Sequence, residues 1–110
     1  MDSDKTIGSA LKEMRESLNI KPSELAEAAD VTPSYIYQVE GDTQMPSSEY
    51  LDTLIKMYVS KSNETAEDKA RRITELIEMT KSQYIEKNQL KIRRKAERRY
   101  DVLYDLVSEN

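Results

Sequence analysis

The side chains best suited to recognition chemistry lie close together in the first half of the chain, over residues 33–38. The amide of Gln38 can donate one hydrogen bond and accept another, which matches the edge of adenine in the major groove of DNA. Proline and tyrosine side chains can contact a thymine methyl group. If they share one helical face, these residues could read A·T-rich base edges: Pro33, Ser34, Tyr35, Tyr37 and Gln38.

The sequence contains no comparable set of side chains for catalysis. The chain contains no Cys and no His, which excludes disulfides, zinc fingers, thiol nucleophiles and His-based acid–base catalysis. Gly8 and Gly41 are its only glycines, and no phosphate-binding glycine motif is present. The carboxylates have the spacing of helix surfaces. We therefore expect no enzyme activity, no metal, no cofactor and no small-molecule ligand.

A helix-turn-helix over residues 21–40 would position the recognition side chains. Pro22 can occupy the first position of a helix, and Leu25, Ala26 and Ala29 form an apolar stripe behind it. Asp30-Val31 interrupts the pattern, and Thr32 then caps a second helix that starts at Pro33. An ordinary αα-hairpin is the alternative. The small Ala26, the short turn and the Thr32-Pro33 start occur together, however, and this combination favours a helix-turn-helix.

The remaining elements before residue 60 complete a small helical domain. The spacing of Ile7, Leu11, Met14 and Leu18 predicts a helix over residues 6–18. Residues 40–46 have turn chemistry, and Ser47 caps a fourth helix. We predict an all-α protein whose domain over residues 1–60 has four or five helices. Its core would centre on Leu11, Leu25, Ile36, Val39, Leu51 and Leu54.

Residues 7–58 resemble the Xre family, the lambda-repressor/Cro-like helix-turn-helix domains of phage, plasmid and bacterial regulators. The matching stretches are IGSALKEMRESLNI, SELAEAADVTPSYIYQVEG and PSSEYLDTLIKMY. The resemblance implies that the helix from Thr32 or Pro33 enters the major groove of double-stranded DNA. Lys21 and Pro22 replace the Ser and Gln usual in the family. Gly41 directly follows Glu40, and Asp42 takes the usual glycine place, which predicts a shifted turn.

Phosphate contacts are expected from polar residues at helix starts and in the loop, together with backbone N–H groups. These residues are Lys21, Ser23, Thr32, Thr43, Gln44 and Ser47.

The second half of the chain has no strong helix breakers. After a joint at 61–65, a capping box at Thr65 starts a helical segment, 66–110, that contains no Gly or Pro. Residues 66–107 would span about 63 Å as one helix. A long dimeric coiled coil and a helical hairpin with a break near residues 80–83 both fit. We favour self-association into a homodimer, because a lone amphipathic helix has nothing else to bury its stripe against. Its dimerisation seam would comprise Ile73, Ile77, Ile85, Asn88, Ile92, Ala96, Tyr100, Leu103 and Val107.

Charge is distributed unevenly between the two halves. Residues 1–60 hold five basic and eleven acidic residues, a net charge of −6, whereas residues 61–110 have a net charge of +2. Residues 87–99 hold seven basic residues and Glu97 alone as an acid, a net charge of +6. This run is a solvated helix face, a second nucleic-acid contact, or a docking site for an acidic protein surface. That surface could be the chain's own acidic domain over residues 1–60, which we call the head. The residues concerned are Lys91, Arg93, Arg94, Lys95, Arg98 and Arg99.

Two functions from different classes follow from these patterns. The first is a dimeric, sequence-specific transcriptional regulator, a repressor of a phage, plasmid or other mobile element. The second is a protein-interaction module that keeps the fold, such as an antirepressor, adaptor or inhibitor, with an acidic head and an uncharged second helix in the helix-turn-helix. A third hypothesis is sequence-independent nucleic-acid binding by the basic segment. No apolar run approaches the roughly 20 residues that span a membrane, and no signal peptide opens the chain, so we expect a cytoplasmic protein.

Overall fold

The computed structural model describes the backbone of residues 5–88 and 93–108 and the side chains of residues 5–86 and 96–107. The described residues are helical and contain no strand, which confirms the all-α fold class. They form two compact units, Met1–Ser62 and Asn63–Asn110. No helix in the described ranges is both long enough and apolar enough to cross a membrane.

The N-terminal unit consists of four helices, of which three start at a capping hydroxyl. They are α1 (Ile7–Ser17), α2 (Pro22–Ala29), α3 (Pro33–Glu40) and α4 (Ser48–Lys61). The hydroxyls of Thr6, Thr32 and Ser47 each accept a hydrogen bond from the backbone N–H three residues later. These bonds satisfy amide groups that the first turn of a helix leaves unpaired. The predicted capping roles of Thr32 and Ser47 are therefore confirmed.

The core of this unit follows the apolar periodicity of its helices. All six residues expected at its centre are completely buried: Leu11, Leu25, Ile36, Val39, Leu51 and Leu54. Ala26 is also buried, where α2 packs against its neighbours. Burial of each large aliphatic side chain contributes roughly 1.5–3 kcal/mol, so this core holds the four helices together.

Asp42 makes the turn after α3 and is joined to the start of α1. It has a positive φ of 64°, whereas Gly41 has an ordinary φ of −92°. The expected shifted turn is therefore wrong, because Asp42 itself adopts the left-handed conformation, which Asp tolerates better than most residues. Its carboxylate accepts a hydrogen bond from the Gly8 N–H at 2.9 Å. A Cβ at Gly8 would lie 2.6 Å from two carbonyl oxygens of α3, so this close approach requires glycine.

A buried ion pair connects α1 to the end of α3. The Arg15 guanidinium donates from Nε to Glu40 Oε2 at 2.7 Å and from Nη2 to Glu40 Oε1 at 3.1 Å. Its third donor, Nη1, bonds to the Ile20 carbonyl oxygen at 2.8 Å. The side chains are only 8% and 5% exposed, and the hydrogen bond to Glu40 raises the pKa of Arg15. Sequence patterns did not predict this pair.

The C-terminal unit is a helical hairpin. Its elements are α5 (Ala66–Asn88), α6 (Arg93–Tyr100), a short 3-10 helix (Asp101–Tyr104) and α7 (Asp105–Ser108). Tyr84 contacts Tyr100, Lys81 pairs with Asp101, and Glu78 accepts a hydrogen bond from Tyr104, so the later elements run antiparallel to α5. Helix α5 continues through residues 80–83, so the predicted position of the break is wrong.

Most of the predicted dimerisation seam is buried within this single chain. Ile73, Ile77, Ala96, Tyr100 and Leu103 are at most 2% exposed, whereas Ile85 and Val107 are half-buried. The expectation that this stripe has no partner in its own chain is therefore wrong, because the hairpin supplies one. Ile92 lies outside the described residues, and the side chain of Asn88 lies outside the described side chains.

Candidate nucleic-acid interface

Helix α3 presents an uncharged polar face to solvent. Ile36 and Val39 are completely buried against the core, which orients the rest of the helix. Pro33, Ser34, Tyr37 and Gln38 are exposed, as is the cap Thr32. Tyr37 is 63% exposed, which is unusual for a large aromatic side chain. Four of the five predicted base-reading residues therefore share one accessible surface.

Tyr35 differs from the other predicted base readers. Its ring is half-buried and packs edge-on against Tyr50, with the ring centroids 5.8 Å apart. Its hydroxyl oxygen accepts a hydrogen bond from the Ser47 N–H at 2.9 Å. Tyr35 thus ties the first turn of α3 to the N-cap of α4. Sequence periodicity placed it on the outer face, because the partner that holds it lies 12 residues further along the chain.

Tyr50 is the buried partner of Tyr35 in this contact. It is completely buried, and its hydroxyl has no hydrogen-bond partner among the described residues. Burial raises the pKa of Tyr50 well above its usual value, because the charged phenolate is disfavoured away from water. The edge-on contact with Tyr35 packs this buried, neutral ring against the first turn of α3.

The residues predicted to contact phosphate fall into two groups. Lys21, Ser23 and Gln44 have exposed side chains. In contrast, Thr32 and Ser47 use their hydroxyl oxygens to cap α3 and α4. Thr43 donates from both its N–H and its hydroxyl to the Gln38 carbonyl oxygen.

The capping residues stabilise the helix ends at which any phosphate contact would be made. Thr32 caps the start of α3, Ser47 caps the start of α4, and Thr43 holds the end of α3. Thr32 and Ser47 can still contact an anion, since a hydroxyl that accepts a hydrogen bond as a cap retains a proton to donate.

Several positive charges of the N-terminal unit are already paired. Lys5 lies 2.8 Å from Glu13, Lys56 lies 3.0 Å from Asp52, and Arg15 is held by Glu40. Lys21 is the only cation among the residues of the predicted interface in this unit. The exposed face of α3 is therefore built for hydrogen bonding rather than for charge neutralisation.

The predicted second contact falls on α6. Arg98 and Arg99 are exposed, and the Arg99 guanidinium lies 5.4 Å from the Tyr84 ring centroid and 5.7 Å from that of Tyr100. Cation–π contacts of this kind hold Arg99 without neutralising it. Arg93, Arg94 and Lys95 belong to the backbone of α6, but their side chains lie outside the described side chains. Lys91 lies outside the described residues.

Acidic and other ligating groups are not arranged as a metal site within the described ranges. No group of three or more Asp or Glu side chains there could hold a metal ion.

A protein-family model described as Helix-turn-helix matches residues 11–58. Neither the curated proteins nor the solved structures include a match to this chain. Residues 11–58 thus carry a helix-turn-helix domain of the Xre/lambda-repressor type, which confirms the resemblance. That family consists of DNA-binding regulators rather than enzymes, and the match supports a DNA-binding helix-turn-helix regulator.

Proposed function

We propose that this protein is a sequence-specific DNA-binding transcriptional regulator that reads bases with the exposed face of α3. The observation that carries this proposal is the uncharged surface of Pro33, Ser34, Tyr37 and Gln38, opposite the buried Ile36 and Val39. A helix of eight residues packed on a buried apolar core can enter the major groove of B-DNA. Acting on DNA places the protein in the cytoplasm or nucleoid.

The side chains of this face favour A·T base pairs. Gln38 would make a bidentate pair with adenine, worth about 1–3 kcal/mol of discrimination against a wrong base. Tyr37 and Pro33 would contact thymine methyl groups, and Ser34 can bond to either kind of base pair. Tyr35 acts differently in this proposal, because its hydroxyl already accepts the Ser47 N–H. It positions the reading face rather than reading bases.

We further propose that the regulator is a dimeric repressor of a phage, plasmid or other mobile element. Helix-turn-helix dimers bind two half-sites about one helical turn apart. Linking two weakly binding heads raises the effective concentration of the second, which offsets the acidic character of residues 1–60. The hairpin already buries most of the predicted seam, so pairing would use the half-buried Ile85 and Val107 or the heads themselves.

Enrichment of random duplex DNA by the full-length protein tests the proposal. We expect one A·T-rich motif, arranged as an inverted repeat whose spacing reports the dimer geometry. Gln38→Ala should abolish the preference for one base pair in each half-site. Gln44→Ala is the matched control, because Gln44 is an exposed glutamine outside α3. It should weaken binding to all sequences alike without changing the motif.

A protein-interaction module is the second candidate, favoured by the net charge of −6 over residues 1–60 and by the exposed Tyr37. An acidic surface repels phosphate, and an exposed aromatic is typical of protein interfaces. Absence of any enrichment, even at low salt, would overturn DNA reading and leave this candidate in its place.

A further inference from the structure

Helix α6 carries an unusual density of positive charge. It spans Arg93–Tyr100 and contains five basic residues with Glu97 as its only acid. Its buried side is formed by Ala96 and Tyr100, which are completely inaccessible. Arg94 and Lys95 precede Arg98 and Arg99 by four residues each, so their backbone positions lie on the same side of the helix. We call these four residues the basic face.

The helix dipole explains only part of the basic face. Arg98 and Arg99 lie in the last turn of α6, where a cation is favourable. Like charges four residues apart destabilise a helix, however, and both Arg94 with Arg98 and Lys95 with Arg99 have this spacing. The sequence of α6 therefore retains positive charge where it opposes helix stability.

Three cations elsewhere in the hairpin are neutralised, whereas Arg98 and Arg99 are not. Arg71 lies 2.6 Å from Asp68, Arg72 lies 3.6 Å from Glu64, and Lys81 lies 2.7 Å from Asp101. Among the described side chains, no carboxylate lies within 4.0 Å of Arg98 or Arg99, and both are exposed. The charge at this end of the basic face is thus available to an anionic partner.

We infer that the basic face binds the phosphate backbone of duplex DNA without regard to sequence and supplies charge neutralisation that the head lacks. This inference rests on the proposed function, since DNA is the partner that α3 would read. The reading face includes no cation, and Lys21 is the only charged residue of the predicted interface in that unit. Base contacts specify a site, while phosphate contacts carry much of the affinity. In this proposal α3 of the N-terminal unit makes the base contacts, and the basic face of the C-terminal unit makes the phosphate contacts.

The salt dependence of binding to a duplex of random sequence tests this division. The full-length double variant R94Q/R98Q removes two charges from the basic face and keeps good helix formers in their place. R71Q/R72Q is the matched control, because it removes two exposed cations from the start of α5. We expect R94Q/R98Q to reduce the slope of log K against log salt by about 1.8, or about 0.9 for each phosphate that is no longer neutralised. The control should keep the wild-type slope.

Equal slopes for the two double variants would overturn the inference, because they would reflect net charge alone. An unchanged slope with loss of salt-sensitive self-association in R94Q/R98Q, measured by sedimentation, would also overturn it and would assign the basic face to the acidic head of a second copy. Duplex binding that loses slope in R94Q/R98Q but never shows a motif would support the basic face and reject base reading by α3. Failure of the two proposals is therefore distinguishable.

Discussion

The two units of this protein are both helical, but local sequence signals divide the first into its helices, whereas contacts between residues distant in sequence arrange the helices of the second. In the N-terminal unit, Pro22, Pro33 and the caps Thr32 and Ser47 mark three helix starts, and Asn19, Asp30 and Asp42 adopt positive φ at the turns. In the C-terminal unit, residues 66–107 contain no Gly or Pro at all. Contacts distant in sequence, such as Lys81 with Asp101, set its antiparallel arrangement.

This difference separates structure encoded by local sequence from structure encoded by tertiary contacts. A capping hydroxyl or a proline acts within one helical turn, so it defines a helix boundary whatever the rest of the chain does. A helical hairpin whose arms contain no Gly or Pro presents the same periodicity as one long helix, and only pairing across the hairpin distinguishes them. Variants that break contacts between distant residues in each unit therefore test this difference between the units most directly.

The largest effect is expected at the buried ion pair of the N-terminal unit. Glu40→Ala leaves the Arg15 guanidinium buried without its carboxylate partner, which should lower the free energy of unfolding of this unit by about 3–5 kcal/mol. Urea titration followed by amide NMR signals, assigned separately to each unit, measures the change. A single global transition cannot be assumed for two units.

Asp52→Ala is the control for this prediction, because Asp52 pairs with Lys56 one turn away on an exposed surface. It should cost about 0.5 kcal/mol or less. Equal costs for the two variants would mean that Arg15 finds water or another partner when Glu40 is removed, and that the pair does not hold α1 against α3.

A somewhat smaller effect is expected at Leu103 in the C-terminal unit. Leu103 is 2% exposed, whereas its neighbour Val102 is 61% exposed. Leu103→Ala should destabilise the hairpin by about 2–5 kcal/mol while the NMR signals of residues 6–61 keep their wild-type midpoint. Val102→Ala, the matched control, should change neither unit by more than about 0.5 kcal/mol.

Dilution distinguishes a hairpin from a coiled coil between chains. A hairpin within one chain stays folded at concentrations where sedimentation shows a monomer, whereas helices buried only against a partner chain unfold when the pair dissociates. Loss of the folded NMR signals of the C-terminal unit in the monomer would contradict the hairpin as the arrangement that buries Ile73, Ile77 and Leu103.

Sequence reasoning captured what is local and missed what is distant. It predicted the helix-turn-helix, the caps Thr32 and Ser47, and all six central core residues, because each depends on residues within a few positions of one another. It missed the Arg15–Glu40 pair, 25 residues apart, and it placed a break at residues 80–83, where α5 is continuous. It also could not show that the Tyr35 hydroxyl accepts a hydrogen bond from the Ser47 N–H, because the two residues lie 12 positions apart.

The smallest effect concerns Tyr35 and Tyr37, two tyrosines on the same helix with different surroundings. Tyr35→Phe keeps the edge-on contact with Tyr50 but removes the acceptor of the Ser47 N–H, so it should cost the N-terminal unit about 0.5–1.5 kcal/mol. Tyr37→Phe removes an exposed hydroxyl and should leave stability within about 0.5 kcal/mol of wild type. Urea titration of the same NMR signals measures both changes.

DNA enrichment with these variants then separates positioning from reading. Because Tyr35 holds α3 against the start of α4, Tyr35→Phe should weaken binding to the preferred motif without changing its sequence. Tyr37→Ala should instead relax the preference at one base pair, since it removes a ring proposed to contact a thymine methyl group. A changed motif with Tyr35→Phe would restore Tyr35 to the base-reading set. The bond to Ser47 would then exist only in the free protein.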